Sequence, residues 1–199
     1  MDKKIVLISL LIVGVVLATA GCIGGYDKSV SAEEGLAMLT DEEIEPEIQN
    51  HIDLEEVGLD VSDGNLLIAI ETYGDIPSTI DPGASQYEVN IQNLDDEEIA
   101  DFSLTLELIG DAVYFESMAT VEGEVYELDG VEYTVDSKFF DGSEIIMEVP
   151  LDELGDPDKV GVQVSSEWSE TDEPGTAMDF VPLDEDGNVD IDNYIEYEI

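Results

Sequence analysis

The feature that most constrains this chain is a period-two alternation of apolar and polar residues. It begins at His51 and, broken by turn-rich stretches, runs almost to the C-terminus. Successive side chains of a strand point to opposite faces, so alternation builds sheets with one buried and one wet face. "IDLEEVGLDV" is apolar at Ile52, Leu54, Val57, Leu59 and Val61, and the one-residue slip at Glu55–Glu56 predicts a β-bulge. "SDGN" then signals a hairpin, and "LLIAIETY" returns. "QYEVNIQ", "DFSLTLELI", "AVYFESM", "GEVYEL", "VEYTVDS", "EIIMEV" and "KVGVQVSS" continue the pattern between turn-rich breaks such as "LIGDA", "FDGSE" and "GDPDK". About nine short strands without a long helix predict an all-β fold, an antiparallel β-sandwich with one shared core, over residues 51–199.

Such a core has to form against its own charge. The chain carries 51 Asp plus Glu against 5 Lys plus Arg, all of them lysine, for a formal charge of −46. Like charge at this level destabilises a compact state. Yet 43% of residues are hydrophobic and they fall in strand patterns, unlike a disordered acidic tail. A folded domain of this kind calls for a screening medium, and at about 1 M salt the Debye length is about 3 Å. The composition resembles that of extreme halophile proteins, of halophilic archaeal type. Chelation of divalent cations is the other use for the acids, but they are spread along the chain rather than clustered. The same charge excludes a nucleic-acid groove and an anionic-lipid patch. No Walker-type or dinucleotide fingerprint is present.

The N-terminus predicts location. Lys3 and Lys4 precede the charge-free run "IVLISLLIVGVVLA", and small residues follow, the layout of a secretory signal. "TAGC" resembles the lipobox of bacterial and archaeal lipoproteins, with Thr19 where leucine is most typical. The resemblance implies a signal peptide over residues 1–21 and a lipid on Cys22. Cys22 is the single cysteine, so it forms neither an intramolecular disulfide nor a zinc site. Loss of residues 1–21 removes Asp2, Lys3 and Lys4 and leaves 50 acids and 3 lysines, a charge of −47. Two alternatives stand beside lipidation: a free reactive thiol, and an uncleaved transmembrane anchor over residues 5–24, close to the roughly 20 residues that span a bilayer. Lipid and transmembrane anchor alike hold the chain at the outer face of the cell membrane. The lack of arginine excludes a twin-arginine signal.

Residues 22–50 read as an acidic spacer. Ser31–Glu34 and Thr40–Glu43 have capping-box spacing, and Leu36, Leu39 and Ile44 sit at helical spacing, predicting a short helix broken near Pro46.

The order of hairpin "LDVSDGNLLIAIETYGDIPS", strands "YEVNIQN" and "DFSLTLELIGDAVYF", then "DGSEIIMEVPLDELGDPDKVGVQVSSEW" and "MDFVP" resembles the DOMON-like β-sandwiches related to family 9 carbohydrate-binding modules. These occur in secreted and membrane-anchored proteins. The most specific piece is "IMEVPLDELGDPDKVGVQV", residues 146–164: a strand, a proline, one helical turn closed by Leu-Gly, and a strand. The resemblance covers about residues 52–182. It implies binding of sugars, haem or other small ligands in loops or on a sheet face. The first hydrophilic loop lacks the tryptophans common in sugar-binding members. No His–Met pair for haem is evident, since His51 is the one histidine.

Two stretches qualify as sites. Trp168 ends a strand ahead of "SETDEPGTA"; if exposed, it stacks on a sugar ring with Glu167, Glu170, Asp172 and Glu173 as hydroxyl acceptors, and if buried it is a core tryptophan. The acids favour a neutral or cationic small molecule or glycan. Tyr73, Tyr114 and Phe139–Phe140 carry the same ambiguity. In "PLDEDGNVDID", Asp184, Asp186 and Asp190 fall on EF-hand positions around Gly187 and offer a Ca²⁺ site, but Pro182 and Asn193 take the first and twelfth places, and a turn at Asp186–Gly187 explains the stretch as well. No other cofactor is indicated. One histidine gives neither a Ser-His-Asp arrangement nor a histidine metal cluster. Paired carboxylates for glycoside hydrolysis stay open but nearly meaningless among so many acids. A binding module therefore leads, a structural or assembly protein of the envelope follows, and a hydrolase comes last.

Overall fold

The computed structural model describes residues 26–32, 38–39, 50–95, 101–121, 124–140, 142–170, 173–183 and 193–199. The signal segment, Cys22, Asp172 and the Asp184–Asp186–Asp190 stretch lie outside them. Among the described residues, no helix is long and apolar enough to cross a membrane.

Thirteen strands are described: β1 Lys28–Ser31, β2 Met38–Leu39, β3 Leu54–Ser62, β4 Asn65–Thr72, β5 Ile80–Asn93, β6 Asp101–Gly110, β7 Ala112–Val121, β8 Glu124–Glu127, β9 Glu132–Phe140, β10 Gly142–Pro150, β11 Lys159–Glu170, β12 Glu173–Val181 and β13 Ile195–Glu198. They form two antiparallel sheets. Sheet A runs β1-β3-β4-β10-β9; sheet B runs β2-β12-β11-β5-β6-β7-β8, with β13 also on β11. The predicted sandwich and all nine predicted strands are present.

The alternation sets the core. Val57 and Leu59 of β3, Leu66, Ile68 and Ile70 of β4, and Ile145, Met147 and Val149 of β10 are buried on the inner face of sheet A. Tyr87, Val89 and Ile91 of β5, Phe102, Leu104 and Leu106 of β6, and Val160, Val162 and Val164 of β11 supply sheet B. Each such side chain contributes about 1.5–3 kcal/mol on burial. The slip at Glu55–Glu56 is a register shift between Leu54 and Glu56, which keeps both flanking runs facing inward. Asp63 and Gly64 both have positive φ, 51° and 83°, as a two-residue type I′ hairpin requires.

After Pro150 the chain makes one turn. Asp156 N–H reaches Leu151 O at 2.8 Å and Gly155 N–H reaches Asp152 O at 3.1 Å, a Schellman closure with Gly155 at φ 82°. This is the strand–turn–strand layout that the sequence resemblance implied for residues 146–164.

The span assigned to a spacer differs from expectation. Lys28–Ser31 pairs with β3, and Met38–Leu39 pairs with β12. The capping-box serine Ser31 thus closes a strand, because Val30 has a vacant inner-face position beside Val57 to fill. Residues 33–37 and 40–49, which hold most of the expected helix, lie outside the described residues.

Candidate functional site

Two of the places that depart from a uniformly apolar interior bear on a site, one closed and one open. At the closed one, residues 51–53 and Leu54, the first residue of β3, cross the inner face of sheet B. A chain without ladder partners leaves backbone groups unsatisfied, and sheet B supplies inward polar side chains at those points. Tyr87 donates its hydroxyl to His51 O at 2.7 Å, Ser166 Oγ donates to Ile52 O, and Leu54 N–H donates to Asp179 Oδ2 at 2.8 Å. His51 Nε2 lies 2.6 Å from Ser85 Oγ. Burial pushes the Tyr87 phenol far up. A serine–histidine contact therefore exists that the sequence did not reveal. Both residues are fully buried, so in this arrangement the pair fastens the chain and presents no nucleophile to solvent.

Trp168 belongs to the same closed end. It is 3% exposed and part of the core, so of the two readings of this residue the structure has the buried one. The stacking platform expected in front of its loop is not on the surface. Gly83, at φ 105° in the irregular stretch of β5 between Ile80 and Ala84, packs against it; a Cβ there would overlap Ser169 O and stand 3.0 Å from Trp168 Nε1. Glu167 points outward from β11 and is half-buried, while Glu170 and Glu173 are register partners at the β11–β12 hairpin. Tyr73 is half-buried and Tyr114 exposed on the outer face of β7. Among the described residues, no three His, Cys, Asp or Glu converge to hold a metal ion.

The open place is the seam between β7–β8 of sheet B and β9, the last strand of sheet A. Register puts Val113 and Phe115 in the inward phase of β7, opposite Leu108 and Leu106, and Tyr126 of β8 beside Ala119. Tyr133 and Val135 of β9 are inward, opposite Met147 and Ile145. These are core positions by phase, yet Val113 is 47%, Tyr126 51% and Tyr133 38% exposed. Phe115 and Tyr133 close the seam in part, with ring centroids 4.7 Å apart and planes at 32°. At one end lies a cavity of about 130 Å³ lined by Ile76, Pro77, Ser78, Asp111, Val113 and Val135, among others. Tyr126 donates to Glu124 Oε2 at 2.7 Å, and this bond raises its phenol pKa. Asp111 at the cavity and Glu124 beside Tyr126 give the rim acceptors. Clefts that engulf a drug-sized ligand measure roughly 300–1,000 Å³. The cavity at the seam is smaller than such clefts, and the aromatic edge extends it.

The sequence did not single out Phe115, Tyr126 and Tyr133. Their only signal is that inward-phase positions of three consecutive short strands are aromatic, which reads as core until the sheet edges are known.

A shallow depression on the opposite side is lined by Asp27, Lys28, Lys159, Glu196, Tyr197 and Glu198. Both lysines are engaged there: Lys159 pairs with the Glu196 carboxylate and Lys28 donates to Glu196 O. The Lys159 partnership holds the Glu196 carboxyl below its ordinary range. The depression fastens β13 to the strands around it.

No protein-family model matches the chain. No curated protein matches it either. Among solved structures it is similar to a family 9 carbohydrate-binding module from Caldicellulosiruptor kristjanssonii in complex with cellotriose, at 10% identity and TM-score 0.42 over 75% of this chain and 80% of that one. It is also similar to a family 9 module from the same organism in complex with glucose, at 13% identity and TM-score 0.39 over 76% and 83%.

Proposed function

We propose that this protein is a membrane-tethered, extracytoplasmic binding module that takes a neutral, hydroxyl-rich ligand such as a glycan on the seam between β7–β8 and β9. One observation carries the reading: aromatic residues in core phase, Phe115, Tyr126 and Tyr133, stand half-open beside carboxylate acceptors and a small cavity. Apolar sugar faces stack on such rings while hydroxyls donate to the rim. Anions are repelled by the acids. The tether is the lipidated Cys22 or a retained apolar anchor over residues 5–24, and the charge of the chain suits a molar-salt medium. A glycan screen of the detergent-extracted full chain in molar KCl tests the site. Neutral glycans that bind the parent but not Tyr133→Ala support it; binding unaffected by Phe115→Ala and Tyr133→Ala overturns it. Mass spectrometry of the extracted protein tests the anchor, with a lipid increment on a chain starting at Cys22 separating lipidation from an intact Met1 terminus.

Assembly in the envelope is the second reading. It is favoured by the outward Ile109, Tyr114, Met118 and Val125 of β6–β8, all exposed on one sheet face. Self-association in molar salt that is lost in Tyr114→Ser would support it.

A further inference from the structure

The first residues beyond the apolar segment are fixed to the sandwich with almost no slack. Tyr26 lies flat on β3: a Cβ on Gly58 would overlap its ring, so glycine is what lets the ring settle there. Its hydroxyl donates to Glu144 on β10, two strands further on. Two residues later β1 pairs with β3 over Lys28–Ser31, and Lys28 reaches Glu196 O on sheet B. Only residues 23–25 separate Tyr26 from Cys22. Four Cα–Cα steps of 3.8 Å reach at most about 15 Å. The limit is the same whether Cys22 carries lipid or the apolar run stays in the bilayer, because both place the membrane exit beside Cys22.

Topology then separates tether from seam. β1 is one edge of sheet A and β9 the other, with β3, β4 and β10 between them. Four strand spacings of about 4.8 Å set the edges roughly 19 Å apart.

We infer that the domain is held edge-on against the lipid surface, with the Tyr26–β1 edge of sheet A toward the membrane and the β9 edge, carrying the open seam, turned away from it. The inference rests on the membrane tether proposed above.

The test uses the full chain in phosphatidylglycerol vesicles in molar KCl, with a nitroxide on the lipid near the headgroup as quencher. Ser29→Cys and Thr134→Cys place a fluorophore on exposed outer-face positions of β1 and β9, and the labelled parent gives the signal from Cys22 itself. Quenching several-fold stronger at position 29 than at 134 is expected. A long Gly-Ser insert between Gly25 and Tyr26 should then equalise the two. Equal quenching without the insert, or stronger quenching at 134, overturns the orientation while leaving the tether intact. Protein that does not sediment with the vesicles overturns both.

Discussion

The closed end around residues 51–54 and the open seam at β7–β9 are both places where a sheet face meets something other than a strand of the opposite sheet, and they solve this in opposite ways. At the closed end the inward positions of sheet B turn polar, with Ser85, Ser166 and Asp179 where alternation calls for apolar residues. Each of these side chains meets a group of the crossing chain. At the seam the inward positions of β7 and β9 are mostly apolar or aromatic, with Ser117 bonded to Leu128 O as the exception, and Val113, Tyr126 and Tyr133 stand half-exposed. A polar break in a core phase marks a chain segment lying across the sheet. An apolar phase that reaches the surface marks room for something else. Closed-end substitutions should therefore cost stability, and seam substitutions should cost binding.

The largest effect is expected from Trp168→Ala. Truncating a tryptophan this deeply buried costs about 3–5 kcal/mol. Urea unfolding in molar salt measures it, and seam affinity should be unchanged in whatever fraction stays folded. A cost below about 1 kcal/mol, typical of a surface change, would move Trp168 out of the core and restore it as a ligand platform.

Asp179→Ala comes next. It removes the acceptor for Leu54 N–H inside the protein, and a buried donor left unpaired costs about 1–3 kcal/mol. Hydrogen exchange locates the loss: the Leu54 amide should exchange faster in the variant, while amides of β7 keep their protection. Faster exchange spread evenly over both regions would mean that the two ends are not separable.

At the seam the balance reverses. Tyr133→Ala truncates a ring that is already 38% exposed, so its stability cost should stay near 1 kcal/mol. Ligand affinity should fall by about tenfold or more, equivalent to about 1.4 kcal/mol. Calorimetric titration with the glycan from the screen measures the affinity. A large stability loss at unchanged affinity would make Tyr133 a core residue and close the seam as a site.

The two regions were unequally legible in sequence. Alternation is local, so strands β3 to β11, the bulge at Glu55–Glu56 and the turn at Asp63–Gly64 could be read directly. Ser85, Ser166 and Asp179 looked like ordinary polar interruptions, because their meaning depends on a segment distant in sequence crossing over them. Trp168 kept two readings because a strand-end position does not reveal whether another strand covers it; Gly83, far upstream, provides that cover. Phe115 and Tyr133 are in the right phase for a core, and only the sheet order shows that they stand at the rims. β1 was hidden because its four residues follow no long pattern and owe their strand to β3.

The outer face of sheet A carries the contrast between polar groups with and without provision to its smallest expected effect. Register aligns Glu56, Glu71 and Glu144 across β3, β4 and β10, beneath the Tyr26 ring. Burial, followed by the neighbouring Glu56 and Glu144 charges, raises the Glu71 carboxyl above its ordinary range. The folded state therefore holds the Glu71 proton more tightly than the unfolded chain does. Between the ordinary and the raised value the native protein binds more protons, so stability falls as pH rises through that window. The contribution is complete below the ordinary carboxylate range and is lost above the raised value. Glu71→Gln removes it: the variant should be the more stable of the two at neutral pH, by a few tenths of a kcal/mol because the site is partly solvated, and its slope just above the ordinary carboxylate range should be flatter. Molar salt should shrink the difference. Urea midpoints of both proteins from acid to neutral pH, in low and high salt, measure it. A variant less stable than the parent at neutral pH would show that Glu71 has a partner there and that this row, like the closed end, is provided for.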